Sequence, residues 1–293
     1  MEYTEAMNPL SPSPNPAPGA ALETLETLIP GMPRMRPGEV WIVGAGPGDP
    51  GLLTLHALSA LLQADVLVHD ALIDARTLAL APPQAVRIFA GKRGGRPSTH
   101  QDEITATLMD QARRGFRVVR LKGGDPFIFG RGGEEVAALV EAGIPNRVIP
   151  GLTSGLAGLS AVGIPATCRG VNQALFLATG HGAGRRPTPE GIDWPLVARL
   201  GQPVVLYMAL KNLPFILEGL GQGGMAPETP AAVVAWATTA QERVVVATLG
   251  TLLETLRREG LDAPAIIVLG EIVNCRNTLQ RVVTQAMGEV SSS

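Results

Sequence analysis

Short runs of Val, Ile and Leu recur along this chain, and stretches of helical period separate those of the first half. VWIVGA (40–45), DVLVHD (65–70), VRIFAG (86–91) and RVVRLKG (117–123) predict strands, while LLTLHALSALLQ (52–63), DEITATLMDQARRG (102–115) and GEEVAALVEAG (133–143) predict helices. Such alternation confines the chain to an α/β fold. Nearly continuous apolar runs also fit parallel strands that are covered on both faces. VIPG (148–151) ends this half. Beyond it LFLATG (175–180), PVVLYM (203–208), AAVVAWAT (231–238), RVVVATL (243–249) and AIIVLGEIV (265–273) read as strands with fewer and shorter helices between them. The expectation is two α/β domains, over 38–150 and 151–285, with the change of character falling within 150–170. A ligand cleft is expected between them, at the carboxyl ends of the strands.

The ends of the chain read differently. Residues 1–37 are rich in Pro, Ser and Ala and show no stable hydrophobic period, which predicts a disordered or loosely attached extension. Residues 286–293 predict a frayed tail. Between these ends, 45% hydrophobic and 17% charged residues supply ample core. A net charge of −2 and an aromatic content of 4% argue against a nucleic-acid surface or a base-stacking platform. Cys168 and Cys275 show no metal-ligand spacing, so neither a metal nor a disulfide is expected, and a reducing cytoplasm is the expected setting. No apolar run is long enough to span a bilayer, and the acidic start of the chain is not a signal peptide.

Chemistry concentrates at strand ends. In GAGPGDPG (44–51) the glycines permit positive φ and close backbone approach to a ligand, and Pro47 stiffens the loop. Gly44, Gly46 and Gly48 recur at every second position and Asp49 stands where a dinucleotide fingerprint has its last glycine, so that fingerprint fails. A tight strand-to-helix turn without a ligand is the other reading. Asp70 ends the second strand, where a carboxylate can hold a ribose hydroxyl, face a cleft or simply cap a turn. Lys92, Arg93 and Arg96 in AGKRGGRPSTHQDEI (90–104) form either an anion-binding loop or a solvated one.

RLKGGDPFIFGRGGEE (120–135) is the most specific segment. Paired glycines at a strand end let a cofactor lie against bare backbone. Phe127 and Phe129 in such a loop must pack against something, and Arg131 precedes a helix that opens with Glu134 and Glu135. PGLTSGLAGLSAVGIPATCRG (150–170) adds Thr153 and Ser154 at a helix start and returns Arg169 to a loop. TGH (179–181), LYM (206–208) and ATTAQ (237–241) are weaker marks.

Taken in order, VGAGPGDPGLLTL, GKRGG…STHQDEI, RLKGGDPFIFGRGGEE, VIPGLTS, GIP…RG, TGH, LYM and PAIIVLGEIV resemble the tetrapyrrole methylase family from about Gly38 to Val283. The resemblance implies two α/β domains with S-adenosylmethionine folded in the cleft between them, the class III methyltransferase architecture, and a homodimer. Cofactor contacts carried over are Pro47, Gly123, Gly124, Asp125, Ile128, Thr153, Ser154 and Met208, with Ala237 where the family usually has glycine. The family's usual Leu-Thr-His-Arg after GIP is here Ala166-Thr167-Cys168-Arg169, so a proton-transferring His is missing while Arg169 is kept. Some relatives carry a dehydrogenase–chelatase module ahead of the methylase; 37 residues are too few to encode it, and a stand-alone methyltransferase is expected.

The activity so implied is C-methylation of uroporphyrinogen III at C2 and C7, giving precorrin-2 and S-adenosylhomocysteine. In-line transfer needs alignment more than a covalent enzyme intermediate, and alignment supplies about 7–11 kcal/mol. Eight substrate carboxylates call for arginine forks. Arg131, Arg169 and Met208 are the expected substrate contacts, with Arg93 and Arg96 further out. Asp70 is the simplest base, Lys92 a proton donor, and Glu134 sits one helical approach from Arg131. Competing readings are a methylase for a later precorrin, a NAD-dependent dehydrogenase built on GAGPGD and Asp70, and a non-catalytic cofactor-binding protein. The broken fingerprint at Asp49 disfavours the dehydrogenase.

Overall fold

The computed structural model describes residues 18–91, 101–181 and 191–276. In chain order the elements are α1 (Pro18–Leu28), β1 (Val40–Gly44), α2 (Leu55–Gln63), β2 (Val66–His69), α3 (Ala75–Leu78), β3 (Val86–Phe89), α4 (Gln101–Arg113), β4 (Val118–Lys122), α5 (Gly132–Glu141) and β5 (Asn146–Ile149). Then follow α6 (Ser154–Ala161), β6 (Phe176–Thr179), α7 (Trp194–Arg199), β7 (Val204–Tyr207), α8 (Leu213–Gln222), β8 (Pro230–Ala235), β9 (Arg243–Thr248), α9 (Leu252–Glu259) and β10 (Ala265–Leu269).

The first sheet is wholly parallel, in the order β3-β2-β4-β1-β5. Its two faces carry separate cores, one around Trp41, Leu61, Leu67 and Leu121 and the other around Val40, Ile42, Leu108 and Leu139. Val40 to Gly44 are all buried, as a central parallel strand requires. The chain leaves β1 toward one side of the sheet and leaves β4 toward the other. Neighbouring strands whose connections diverge open a crevice at their carboxyl ends, the place where ligands bind in open α/β sheets.

The second sheet is mixed, in the order β6-β7-β10-β8-β9, with β6 and β7 parallel and the remaining pairs antiparallel. α6 packs on this sheet: Leu159, Val162 and Ile164 share a core with Val205, Tyr207, Val234 and Ile266. Local capping fixes several turns. Thr54 caps α2 through the Ala57 N–H, Asp74 caps α3 through Arg76, and Asp193 caps α7 through Leu196, with Pro195 in its first turn.

Three expectations are corrected. Residues 18–37 are not a loose extension: α1 buries Leu22 and Leu25, and Met32 and Met35 follow into the core. Gln63 of α2 accepts the Met35 N–H at 2.9 Å and donates to the Pro33 carbonyl at 3.3 Å. A short helix in a Pro-rich context is held by such tertiary packing rather than by propensity. The strands expected to end at 208 and 238 stop earlier, at Tyr207 and Ala235, because Met208, Trp236 and Thr238 turn to positive φ. The strand expected over 265–273 stops at Leu269; Gly270 breaks it at φ 129° and 272–276 are helical. Residues 1–17, the 286–293 tail, and Lys92, Arg93 and Arg96 lie outside the described residues.

Candidate functional site

Three glycine loops meet at the crevice between β1 and β4. The Gly46 N–H donates to the Gly124 carbonyl at 3.2 Å and the Gly124 N–H returns to the Gly46 carbonyl at 2.8 Å. A Cβ on Gly44 would lie 2.6 Å from the Gly124 oxygen and the Gly151 nitrogen, and one on Gly151 would lie 2.3 Å from the Gly124 oxygen. No side chain fits there, so these glycines bring three backbones into contact. Asp125 locks the arrangement: Oδ1 accepts the Phe127 N–H at 2.8 Å and Oδ2 accepts the Gly151 N–H at 3.1 Å. Gly123 differs. It is exposed, and a Cβ built on it meets only the Leu72 Cβ, at 3.9 Å. Bare backbone there opens onto free space, a cradle that suits a cofactor pressed against the chain.

The second domain closes on this crevice. The Asp49 N–H donates to Thr238 Oγ1 at 3.1 Å, and the backbone of Gly48 passes so near Thr239 that a Cβ would lie 2.7 Å from its methyl. Asp49 itself caps the short turn after β1 by accepting the Gly51 N–H at 2.9 Å. Tyr207 at the end of β7 meets Phe129 with ring centroids 4.9 Å apart, and its hydroxyl lies 2.9 Å from Thr153 Oγ1. Burial pushes the Tyr207 phenol above its ordinary pKa.

Phe129, Arg131, Met208, Trp236 and Thr238 all hold φ between 50° and 63°. Side chains rarely adopt this conformation, and each instance costs about 1–3 kcal/mol. All five sit on loops that leave the carboxyl ends of β4, β7 and β8, where the two domains face each other. Strain gathered in one place marks a site whose geometry is held by its surroundings. Ile128 and Met208 remain exposed beside it, Pro47, Thr153 and Ser154 are half-buried, and Ala237 is buried with its carbonyl near Gly48.

A charged cluster underlies the crevice. Arg120 and Lys122 project from β4 on one face, 2% and 4% exposed, and Glu135 of α5 is fully buried beneath them. Glu135 Oε1 receives three donors: Gln101 Nε2 at 2.8 Å, Arg120 Nε at 3.1 Å and Lys122 Nζ at 3.2 Å. Arg120 Nη2 then reaches Asp70 Oδ1 at 2.6 Å. Burial, reinforced by the Arg120 charge, pushes the Lys122 ammonium below its ordinary pKa against the pull of Glu135 and Asp70. Of these groups, sequence reasoning named Asp70 and neighbouring Glu134, and missed Arg120, Lys122 and the role of Glu135. The signal was present: charges at every second position of an otherwise apolar central strand demand a buried counter-charge.

Arg131 and Glu134 lie at the rim. Arg131 Nε and Nη2 fork onto Glu134 at 2.9 and 2.6 Å, with both side chains 57% exposed. This pairing holds the Glu134 carboxyl below its ordinary pKa. Arg169 is exposed on the 165–172 loop. No cluster of His, Cys, Asp and Glu able to hold a metal occurs among the described residues, and none of their helices is long and apolar enough to cross a membrane.

Comparisons with known proteins agree with this geometry. Residues 39–253 match the family model described as Tetrapyrrole (Corrin/Porphyrin) Methylases. The chain is 49% identical over 255 residues to a uroporphyrinogen-III C-methyltransferase of Sinorhizobium sp., covering 87% of this chain and 91% of that one. It is 41% identical over 254 residues to a protein of the same name from Synechocystis sp., covering 87% and 96%. Among solved structures, a uroporphyrin-III C-methyl transferase from Thermus thermophilus complexed with S-adenyl homocysteine superposes with a TM-score of 0.68 at 39% identity, covering 80% of this chain and 99% of that one. A parallel sheet feeding a glycine-walled crevice, a mixed sheet closing over it, and these matches across most of the chain together place the protein in the tetrapyrrole methylase family.

Proposed function

We propose that this chain transfers methyl groups from S-adenosylmethionine to C2 and C7 of uroporphyrinogen III, giving precorrin-2 and S-adenosylhomocysteine. The observation that carries the reading is the cradle at Gly123, open to solvent beside the closed Gly44–Gly124–Gly151 cluster. Identity of 49% to a uroporphyrinogen-III C-methyltransferase supports the choice of substrate. S-adenosylmethionine, when bound, supplies an activated methyl group.

In this reading Gly123 and Gly124 lend backbone to the cofactor, with Asp125 fixing their loop. Pro47, Ile128, Thr153, Ser154, Met208 and the backbone of Ala237 border it. The residues fit such a group because the wall is bare glycine and amide on one side and apolar on the other. Arg131, oriented by Glu134, and Arg169 receive substrate carboxylates, each charge-assisted contact contributing about 1.5–3 kcal/mol. Arg93 and Arg96 serve as outer contacts, and Lys92 as a proton donor. Asp70, half-buried at the end of β2, takes the proton released after methylation. A homodimer in the cytoplasm accompanies this reading, supported by the family resemblance.

The test is anaerobic incubation of the purified protein with uroporphyrinogen III and methyl-labelled S-adenosylmethionine, followed by mass analysis. Gain of two methyl groups is the expected result. No gain, with cofactor binding retained in a separate titration, overturns the substrate and leaves the cradle standing.

A further inference from the structure

A buried ion cluster is seldom a net source of stability, since apolar residues of similar volume serve a core as well or better. Arg120 and Lys122 nevertheless project from the central strand β4 onto Glu135 of α5, beneath the strand ends that form the crevice. Arg120 links the cluster to the crevice, and its guanidinium is fixed at three points. Nε meets Glu135, Nη1 donates to the Leu121 carbonyl at 3.3 Å, and Nη2 pairs with Asp70. Asp70 is backbone-bonded to the same stretch, its N–H donating to the Leu121 carbonyl at 3.3 Å. Its side chain keeps 31% exposure, so it is held from below and open above.

We propose that the Arg120–Glu135 pair, braced by Lys122 and Gln101, is the positioning device that aims the Asp70 carboxylate at the substrate; this rests on reading Asp70 as the proton acceptor. In the step it serves, a substrate C–H bond breaks, its electron pair stays with the methylated ring system, and the proton passes to Asp70. The planar fork of Arg120 bridges two carboxylates, one fully buried and one at the mouth, which an ammonium cannot reproduce. Glu135 is the anchor, because three donors converge on one of its oxygens and hold it rigid. Among the described residues, the charged groups around Asp70 are Arg120 and Lys122 on β4 and Glu135 on α5, and the His69 ring lies 3.1 Å from the Asp70 carbonyl oxygen.

Four variants test this: Arg120→Met, Arg120→Lys, Glu135→Gln and Asp70→Asn, each assayed for kcat and for KM of S-adenosylmethionine. Arg120→Met removes fork and charge together and is expected to lose at least about tenfold in kcat. Arg120→Lys keeps the charge and loses the fork; it is expected to fold even where Met does not, and to lose at least tenfold in kcat with KM for S-adenosylmethionine unchanged. Glu135→Gln is expected to lose a similar factor with KM for S-adenosylmethionine unchanged. Wild-type kcat in Arg120→Lys and Glu135→Gln overturns the proposal while Asp70→Asn remains inactive. Wild-type turnover in Asp70→Asn instead overturns the reading of Asp70 itself.

Discussion

The hydroxyls of Thr153 and Tyr207 lie 2.9 Å apart, one on the segment that leaves the first sheet and the other at the end of β7 in the second. The same tyrosine sits against Gly155, where a Cβ would fall 2.1 Å from its hydroxyl oxygen, and its ring meets Phe129 of the β4 loop at a tilt of 56°. One side chain therefore ties the glycine loops of the first domain to the mixed sheet of the second.

Tyr207→Phe keeps the ring contact and deletes the hydroxyl. The loss of one partly buried hydrogen bond is expected to cost about 1 kcal/mol in urea denaturation. With Thr153 among the proposed cofactor contacts, affinity for S-adenosylmethionine in a calorimetric titration is expected to fall several-fold.

Two glycine variants separate packing from ligand contact. Gly151→Ala drives a methyl to 2.3 Å from the Gly124 oxygen, and backbone cannot yield as a side chain does. It is expected to destabilise the fold by about 3 kcal/mol or more. Gly123→Ala meets nothing nearer than 3.9 Å and is expected to leave stability within about 0.5 kcal/mol. Its effect belongs to the ligand, with S-adenosylmethionine binding weakened at least about tenfold, a loss of about 1.4 kcal/mol.

Arg131→Ala removes an exposed guanidinium paired with Glu134, which is equally exposed. Thermal stability is expected to change by no more than about 1 kcal/mol. Turnover of the tetrapyrrole is expected to fall about ten- to a hundredfold, the worth of one charge-assisted contact to a substrate carboxylate. Wild-type-like turnover at saturating substrate removes Arg131 from the site.

The Asp65–Arg117 pair at the amino ends of β2 and β4, away from the crevice, predicts a pH signature in stability alone. Arg117 grips Asp65 through its backbone N–H at 2.9 Å, Nε at 2.9 Å and Nη2 at 2.6 Å, holding the carboxyl below the ordinary range. A carboxyl whose folded pKa is depressed contributes stability that is present above its unfolded pKa and lost as pH falls through the folded one. Asp65→Asn is therefore expected to cost up to about 1 kcal/mol at pH 7, given partial exposure. The difference from wild type is expected to shrink steadily below about pH 4 in urea titrations.

Much of the fold was legible in the residues. The runs around Val40, Val66, Val86 and Val118 are strands, as are those around Phe176, Val204, Ala231, Val244 and Ile266. Runs of β-branched residues bounded by glycine leave a chain few other options. Less legible was α1, whose two buried leucines were hidden by the prolines around them. The rim arginine at 131 was readable from its place before a helix. Glu135 was not separable from Glu134, because adjacent helical positions differ by about 100° and only packing says which one faces inward.

By itself, then, the sequence determined the elements, the glycine loops and the family resemblance, since these depend on local conformation and short-range pattern. Tertiary structure decided that β4 inserts between β2 and β1, which sets the Gly46 loop against the Gly124 loop. It also decided that Arg120, Lys122 and Glu135 meet beneath Asp70, and that Tyr207 closes the crevice from the other sheet. The physical reason is that strand order and charge pairing are settled by contacts between residues far apart in the chain. Burial then makes those contacts obligatory, because a charge taken from water must find its partner wherever the fold places it.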